Sequence, residues 1–343
     1  MEITQPLVLQ AATWLPEERE TTAEVVASGR MTEEEAREIG LTAVPAADIP
    51  GPDLAVRAAE RVLAAAEYDP ARLDLVAHAW IYHQGHDFWS PPHYVADRIG
   101  AREALPLGVQ HMSNGGAAAL GVAVDRLLAD PRAESALVTT GDRFAAPGFD
   151  RWTADYGAIY GDAGTAALLR RRAEGGSGGT FLLRSLCSAT AAEFEAMYRG
   201  RNPFTPAARW DGGTIDIRRP KKAYLEMNGG MAAFMKTATE SVRSILLQSL
   251  AEAGLEPGDP RIRWVALPRL STHILAGTSA LITELTKAEI VQEREGSGHL
   301  GAGDVLANLA DLSSSYDLEA GEFAVVIGGG GGFTWSCAVV QAG

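Results

Sequence analysis

The segment GVQHMSNGGAAALGVAVDRLLAD, residues 108–130, places a short apolar stretch, a tight turn and a long Ala- and Leu-rich stretch in immediate succession. The pattern predicts a short strand, a turn at Ser113-Asn114-Gly115-Gly116 and a helix. A further apolar run, ALVTTGD (136–142), predicts the next strand. Because helices that alternate with buried strands are typical of α/β proteins, the segment predicts an α/β fold.

The residues on either side continue this alternation. Before the segment, DLAVRAAERVLAAA (53–66) predicts an amphipathic helix that begins after Pro52, and DLVAHAWIY (74–82) predicts a buried strand. After it, AIYGDAGTAALLRR (158–171) predicts a strand pair that closes the first half of the chain.

The second half of the chain repeats the plan. Its predicted elements are a helix (230–254), a strand (261–270), a glycine-rich turn that leads into a helix (296–312) and a terminal strand pair (325–341). Between the halves, glycine and charge cluster in RRRAEGGSGGT (170–180), which is typical of a junction. We therefore predict a pseudo-duplicated fold whose halves are residues 1–172 and 173–343.

Composition excludes several classes of protein. The chain has 343 residues, 46% of them hydrophobic, and a formal net charge of −14, which disfavours a nucleic-acid partner. No stretch approaches the roughly 18 apolar residues of a membrane span, and the start lacks a secretory signal, so we predict a cytoplasmic protein without a membrane partner. Its two cysteines, Cys187 and Cys337, are too few for a disulfide framework or a cysteine-based zinc site, and we predict no bound metal.

Four motifs occur in a fixed order along the chain. They are RMTEEEAREIGLTAVP (30–45), YGDAGTAALL (160–169), LEMNGGMAAFMKTA (225–238) and IGGGGGFTWSCAVV (327–340). Together they resemble the β-ketoacyl synthase III branch of the thiolase superfamily over nearly the whole chain. The resemblance implies a thiolase fold, in which two βαβαβαββ halves form a five-layered αβαβα sandwich. It also implies a homodimer, which we expect to form through first-half strands near ALVTTGD.

The departures from that family pattern concern the catalytic residues. Where the branch carries Cys, His and Asn, this chain carries Ser113, Arg269 and His299, and Asp304 follows His299 by five positions. A Ser-His-Asp set of this kind resembles the subgroup that includes the daunorubicin-pathway starter enzyme and acyltransferases of antibiotic biosynthesis. The resemblance implies that Ser113 carries the acyl group.

A serine hydroxyl needs an adjacent base to become nucleophilic, and we predict that His299 is this base. A carboxylate on the other ring nitrogen would hold the imidazole in the required tautomer, which is the role we predict for Asp304. The alternative is that Asp304 is an ordinary helix-start carboxylate, favoured there by the helix dipole, and we favour the catalytic role. Backbone N–H groups of Ser113 and of Gly330 and Gly331 are the predicted oxyanion hole.

Three further residues are predicted to bind substrate: Arg269, Tyr156 and Asn114. A guanidinium cannot act as a base, but Arg269 is suited to hold a carboxylate or phosphate. In the branch that binds CoA, an arginine often precedes the glycine that matches Gly157, and Tyr156 stands here instead.

The segment IDIRRPKKAY (215–224) concentrates positive charge in an acidic chain. Its basic residues are Arg218, Arg219, Lys221 and Lys222. They would suit an acidic carrier protein or a CoA phosphate, and a solvated run of charges explains them equally well.

We therefore predict an acyltransferase of secondary-metabolite (polyketide-type) biosynthesis with no permanently bound cofactor. It would take an acyl group from acyl-CoA or from the acyl-phosphopantetheine of an acyl carrier protein. The acceptor would be a hydroxyl or amine of a small molecule, or a carrier protein. Decarboxylative starter condensation with malonyl-ACP is the first alternative, and a non-catalytic partner subunit is the second. Transfer is favoured because the family's enolate-stabilising His and Asn are replaced, and because an oxyester is a less activated acyl donor than a thioester.

Overall fold

The structure is a computed structural model that describes residues 2–172, 181–208, 210, 212–227, 229–291 and 296–343. Of the predicted junction at 170–180, residues 173–180 lie outside the described residues. The boundary between 172 and 173 therefore stays a prediction.

Twelve strands are seen in the described part of the chain. They are β1 (Glu2–Trp14), β2 (Arg19–Thr21), β3 (Ala43–Pro45), β4 (Leu75–Ala79), β5 (Leu105–Val109), β6 (Ser135–Asp142), β7 (Ala163–Arg171), β8 (Phe181–Thr190), β9 (Ile262–Ala266), β10 (Glu289–Ile290), β11 (Phe323–Gly330) and β12 (Thr334–Ala342).

The same described residues form ten α-helices. They are α1 (Thr22–Ala27), α2 (Glu33–Ile39), α3 (Gly51–Ala65), α4 (Pro91–Ile99), α5 (Gly115–Ala129), α6 (Ala196–Arg199), α7 (Arg218–Met227), α8 (Gly230–Glu252), α9 (Thr272–Leu285) and α10 (Asp304–Ser315). Short 3-10 turns precede α5 (Met112–Asn114) and α10 (Gly301–Gly303).

Ten of the twelve strands form one sheet with an internal repeat, and β2 and β3 pair separately. The first half contributes the order β5-β4-β6-β7-β1, and the second half contributes β10-β9-β11-β12-β8, so strands at equivalent places in the chain occupy equivalent places in the sheet. The halves join where β1 and β8 pair antiparallel, with Leu7 opposite Leu183. The predicted pseudo-duplicated thiolase fold is confirmed.

The three largest apolar clusters hold five layers together: one cluster surrounds the middle helices and one lies under each outer helical layer. Because successive side chains of a strand point to opposite faces, the buried strands contribute to two cores at once. In β11, Val326 packs in the central core with residues of α5 and α10, while Val325 packs in the outer core with residues of α8 and α9. In β6, Val138 joins the central core and Leu137 joins the outer core with α3 and α4. Helices α5 and α10 are thus the middle layer.

Two predicted elements differ from the structure. Residues 158–171 hold one strand, β7, because the buried Asp162 accepts the backbone N–H groups of Ala47 and Phe144 and so draws the preceding residues out of the sheet. Helix α3 begins at Gly51 rather than after Pro52, since proline is accommodated in the first turn of a helix. Several elements were not predicted at all, among them strands β1 and β8 and helices α1, α2, α4, α6, α7 and α9.

No helix of the described residues is long and apolar enough to cross a membrane. The same part of the chain contains no group of three or more His, Cys, Asp or Glu side chains placed to hold a metal ion.

Candidate active site

Ser113 lies in the 3-10 turn that connects β5 to α5. The residue before it, Met112, has a φ of 49°, in the left-handed region that side chains other than glycine rarely adopt. Such a conformation costs on the order of 1 kcal/mol and persists only where the surroundings enforce it. The turn therefore presents Ser113 from a constrained backbone at the start of a buried helix.

His299 approaches Ser113 because the starts of α5 and α10 pack against each other. A Cβ atom at Gly116 would lie 2.6 Å from the carbonyl oxygen of Ala302, so only glycine permits the observed spacing. The two turns that precede the middle-layer helices, at equivalent places in the two halves, thus meet at one point. The duplicated fold brings the serine of one half to the histidine of the other.

Ser113, His299 and Asp304 form a continuous hydrogen-bonded set. Ser113 Oγ lies 2.7 Å from His299 Nε2, and His299 Nδ1 lies 2.7 Å from Asp304 Oδ2. An ionised carboxylate only accepts hydrogen bonds, so Nδ1 carries the proton and donates it to Asp304. The lone pair of Nε2 is then available to accept the Ser113 hydroxyl proton.

Buried charges set the protonation of His299, which is only 3% exposed. Burial by itself acts to lower the pKa of His299, but the charge and hydrogen bond of Asp304, with smaller contributions from Asp155 and Asp142, raise it above its usual value. Burial acts to raise the pKa of Asp304, but His299, together with the charge of Arg269 and the N–H of Leu300, lowers it below its usual value. The site therefore favours a carboxylate at Asp304 and stabilises an imidazolium at His299.

Asp304 is also held by the backbone around it. Its Oδ1 accepts the N–H of Leu300 at 2.8 Å, and its Oδ2 accepts the N–H of Arg269 at 2.8 Å. These bonds fix the carboxylate at the first residue of α10. Asp304 thus contacts the imidazole and also stabilises the local fold, so the two interpretations of this residue are not exclusive.

A loop that was predicted to be a strand fixes the position of His299. The backbone N–H of His299 donates to Ile159 O at 2.7 Å, and Gly161 N–H donates to His299 O at 2.9 Å. Between them, the ring of Tyr160 lies 5.1 Å from the imidazole, centroid to centroid. Tyr160 was not predicted as a site residue. Its isolated β-bridge to His299 involves a single residue of each segment, and such a contact leaves no pattern in the sequence.

The terminal glycine turn packs on the nucleophile turn. A Cβ atom at Gly330 would collide with the backbone nitrogen of Asn114 and lie 3.0 Å from that of Ser113. A Cβ atom at Gly331 would lie 2.5 Å from the ring of Tyr198. The structure thus brings together the residues predicted as the oxyanion hole, and glycine is required there for the close approach.

The structure places Arg269 away from the pocket that Ser113 faces. Its guanidinium donates to Asn308 Oδ1 at 3.1 Å and to Ser297 Oγ at 2.8 Å, and it pairs with Asp311. The predicted contact of Arg269 with substrate is therefore corrected. The side chain instead ties the loop after β9 to α10.

Asn114 is likewise directed inward, although it follows Ser113. Its amide donates to Ser336 Oγ at 2.9 Å, and the side chain is buried behind the turn. Because residues 112–114 form a 3-10 turn, neighbouring side chains point in different directions. Asn114 supports the nucleophile turn and does not reach the pocket, which corrects its predicted substrate contact.

A deep pocket opens at Ser113 and His299, with roughly 1140 Å³ of space between its walls including the open mouth. Helices α8 and α9 and the start of β12 supply most of its apolar wall. That wall includes Met231, Phe234, Met235, Ala238, Val242, Ile274, Leu275, Phe333 and Trp335. The nucleophile thus lines a largely apolar chamber that is suited to an acyl group.

One side of the same pocket is polar. Asp155, which is 3% exposed, pairs with Lys221, and the Lys221 ammonium lies 5.1 Å from the centroid of the Tyr198 ring. Tyr156, predicted to bind substrate, lies in this wall and is 47% exposed. The guanidinium of Arg218 stands 5.2 Å from the centroid of the Tyr156 ring.

The predicted basic cluster on α7 is thus divided. Lys221 lines the pocket and pairs with the Asp155 carboxylate, and Arg218 donates to the carbonyl oxygen of Asp155 behind that wall. Arg219 and Lys222 are exposed. The sequence does not distinguish these two pairs, because all four residues lie within five consecutive positions.

Residues 250–342 match the family of C-terminal domains of 3-oxoacyl-[acyl-carrier-protein] synthase III. The β-ketoacyl-[acyl-carrier-protein] synthase III of Paramagnetospirillum magneticum is 26% identical over 293 residues, covering 84% of this chain and 83% of that protein.

Two solved structures are similar over almost the entire chain. ChlB3, an acyltransferase, is 29% identical with a TM-score of 0.86, covering 98% of both chains. AbyA1, a tetronic acid condensing enzyme, is 23% identical with a TM-score of 0.74, covering 98% of this chain and 100% of that chain. At that lower identity the second comparison shows the fold alone.

Proposed function

Because this chain is a β-ketoacyl synthase III-like enzyme of the thiolase superfamily, we propose that it is an acyltransferase of secondary-metabolite biosynthesis. The acyl group would be bound covalently to Ser113 during transfer. The proposal rests on the hydrogen-bonded series from Ser113 through His299 to Asp304, with both distances 2.7 Å, of which Ser113 and His299 line an apolar pocket. A nucleophile, its base and the group that orients the base are the three parts needed for nucleophilic acyl transfer.

In the first step, Ser113 Oγ attacks the thioester carbonyl while its proton passes to His299 Nε2. The negative charge on the carbonyl oxygen is stabilised by N–H groups of Ser113 and of Gly330 or Gly331. When the carbon–sulfur bond breaks, the imidazolium returns the proton to the leaving thiolate. Asp304 stabilises the imidazolium throughout, and an oxyester remains on Ser113.

In the second step, an acceptor hydroxyl or amine attacks that oxyester. His299 removes the acceptor's proton and then protonates Ser113 Oγ as the bond between the acyl carbon and Oγ breaks. Transfer to oxygen or nitrogen is easier than return to a thiol, since an oxyester is less activated than a thioester.

The condensation alternative requires a site that stabilises an enolate. The family positions for that task hold Arg269 and His299 here, and the Arg269 guanidinium is bonded to Asn308 and Ser297 instead. These contacts support transfer over condensation. The assembled Ser-His-Asp set supports an enzyme over a non-catalytic partner subunit.

The donor is an acyl-CoA or an acyl carrier protein thioester, and the acceptor is a small molecule or a carrier protein. The exposed Arg219 and Lys222 of α7 give a carrier protein, which is acidic, a surface of opposite charge. No permanent cofactor is proposed, because every step uses side chains and backbone groups of the chain. A cytoplasmic location stays a prediction.

The acyl-enzyme is the direct test of this function. After exposure to a panel of acyl-CoA and acyl-carrier thioesters, intact-protein mass spectrometry should show one acyl increment, located on the peptide that contains Ser113. The Ser113→Ala variant should remain unlabelled. An adduct on Cys187 or Cys337, both buried, would sink the assignment of Ser113.

A homodimer remains part of the proposal, and the structure suggests which of the first-half strands near ALVTTGD would form the contact. Strand β6, which contains the sequence ALVTTGD, is buried along its entire length between β4 and β7 and has no free edge. The outer strand of that half is β5, where Leu105 is 54% and Leu107 is 36% exposed. An apolar edge strand of this kind is a template for pairing with another chain.

We expect sedimentation velocity at micromolar concentration to show a dimer, and the double variant Leu105→Glu/Leu107→Glu to sediment as a folded monomer. Leu247→Glu, at an exposed leucine on α8, is the matched control and should stay dimeric. A wild-type monomer, or a dimer that is indifferent to the β5 changes, would contradict pairing through β5.

A further inference from the structure

The polar wall of the pocket consists of Asp155, Tyr160, Tyr198 and Lys221, all of which line the same chamber as Ser113 and His299. None of the four exchanges a proton or forms a bond in the acyl-transfer steps, although the charge of Asp155 helps to raise the pKa of His299. The Asp155–Lys221 ion pair is nearly withdrawn from solvent, with side-chain exposures of 4% and 12%. A buried ion pair is weak evidence for stability, because the cost of desolvating two charges offsets their attraction.

The hydrogen-bonding capacity of this wall is only partly used. Asp155 Oδ1 accepts the N–H of Tyr156 at 2.7 Å and pairs with Lys221. Among the described residues, the Tyr160 hydroxyl, at a long 3.4 Å, is the one hydrogen-bond donor to Asp155 Oδ2. The hydroxyl of Tyr198 makes no hydrogen bond to any described residue. Burial raises the pKa of Tyr198 above its ordinary value, and the charge of Asp155 adds to this, so the phenol stays a neutral donor and acceptor.

Charge limits what this wall can hold. A ligand carboxylate near Lys221 would also meet Asp155, and a ligand ammonium near Asp155 would also meet Lys221. A neutral hydroxyl avoids both repulsions, and it can donate to Asp155 Oδ2 while it accepts from Tyr198. Apolar side chains of α8 and α9 line the same chamber, so its polar and apolar parts favour different parts of the reacting molecules.

We propose that the polar wall is the acceptor subsite, and that it selects a neutral small molecule carrying further hydroxyl groups beside the one that is acylated. The apolar wall of α8 and α9 then holds the acyl group on Ser113. This inference rests on the proposed acyl transfer, and it adds the chemical class of the acceptor.

The reaction at this subsite is balanced without another reagent. One acceptor hydroxyl oxygen bonds to the acyl carbon of the Ser113 ester, and its proton passes to His299 Nε2. The bond from the acyl carbon to Ser113 Oγ breaks, and Oγ takes that proton back. The remaining acceptor hydroxyls stay bonded to Asp155 and Tyr198.

The test compares acceptors on a single acyl-enzyme. The p-nitrophenyl ester of hexanoic acid loads Ser113 and releases p-nitrophenol, and the acyl-enzyme then divides between water and an added acceptor. The probes are methyl β-D-glucopyranoside, which is rich in hydroxyls, and 1-butanol, which is not. Because both products come from one acyl-enzyme, any change in the Ser113 and His299 chemistry cancels from the ratio of glucoside ester to butyl ester.

Wild type should favour the glucoside over 1-butanol at equal concentration. Asp155→Asn, Tyr198→Phe and Lys221→Met should each lower the ratio of glucoside ester to butyl ester about tenfold, since each removes or displaces a group that bonds acceptor hydroxyls. Lys236→Met, at an exposed lysine on the pocket-lining helix α8, is the matched control and should leave the ratio unchanged.

An unchanged ratio in all three wall variants, or a wild-type preference for 1-butanol, would overturn the acceptor subsite while leaving acyl transfer intact. Failure of wild type to form any hexanoyl-Ser113 is a separate outcome. It would defeat the proposed function, and this inference with it.

Discussion

Replacing His299 with alanine is expected to lower the rate of Ser113 acylation by about four orders of magnitude or more. Ser113 Oγ lies 2.7 Å from His299 Nε2, and the structure offers the hydroxyl no other hydrogen-bonded base among the described residues. Without the imidazole, the proton must leave to water as the new bond forms. The rate should be measured as the burst of p-nitrophenol from an ester or as the gain in mass from a thioester.

A double variant makes this prediction sharper. If Ser113 and His299 act as one unit, removing both should cost no more than removing one. The residual hydrolysis of the p-nitrophenyl ester by Ser113→Ala/His299→Ala should therefore be no slower than that by either single variant, because this hydrolysis no longer passes through the serine. His273→Ala, at an exposed histidine on α9, should acylate like wild type. Acylation of His299→Ala within tenfold of wild type would remove His299 as the base.

Most of the fold could be predicted because its signals are local. The Ala- and Leu-rich residues after Ser113 form a helix of the middle layer that is buried on most sides. Because such a helix has little exposed surface, its sequence is almost entirely apolar and is easily identified. The alternation of helices and strands then recurs in the second half. The loop at residues 158–162 was mistaken for a strand, since Asp162 is bonded to Ala47, more than a hundred residues away.

The catalytic set could be predicted because its spacing is short and its residue types are distinctive. His299 and Asp304 lie five positions apart, and their contact follows from one turn. Arg269 and Asn114 were wrong as substrate contacts for a different reason. Residue type showed what each side chain is able to bind, but its direction depends on neighbours such as Ser336 and Asn308, which are remote in sequence.

The polar wall illustrates what the sequence leaves undetermined. Asp155 follows β6 and Lys221 lies on α7, so their pairing depends on how the halves pack. No periodic pattern in the sequence links Asp155 to Lys221. Asp155 nevertheless acts on His299 through its charge, which helps to raise the pKa of the imidazole. The residues that surround the base therefore influence the chemistry as well as the shape of the pocket.

Changing Asp304 to asparagine is expected to lower acylation by about 10⁴-fold. The asparagine amide would present a donor to His299 Nδ1 and so favour the tautomer whose Nε2 carries the proton. That nitrogen could then no longer accept from Ser113. The change would also weaken the bonds to the N–H groups of Leu300 and Arg269, so stability should fall by on the order of 1–3 kcal/mol.

The dependence of acylation on pH separates the two roles of Asp304. Acylation needs neutral His299, so in wild type it should be lost as pH falls through a pKa that lies above the usual value of 6.5. Burial acts to lower that pKa, and the charge of Asp304 is the largest influence that raises it. Without the charge, the acid limb of the residual activity should move to lower pH. A residue that only stabilises the fold would not move it.

Asp74→Asn is the matched control for the structural part of the effect. Asp74 accepts the N–H groups of Glu134 at 2.8 Å and Ser135 at 3.0 Å but contacts no catalytic residue. It should lower the melting temperature and leave both the acylation rate and its pH profile as in wild type. If Asp304→Asn behaved in the same way, Asp304 would belong to the fold alone, and the proposed mechanism would reduce to Ser113 and His299.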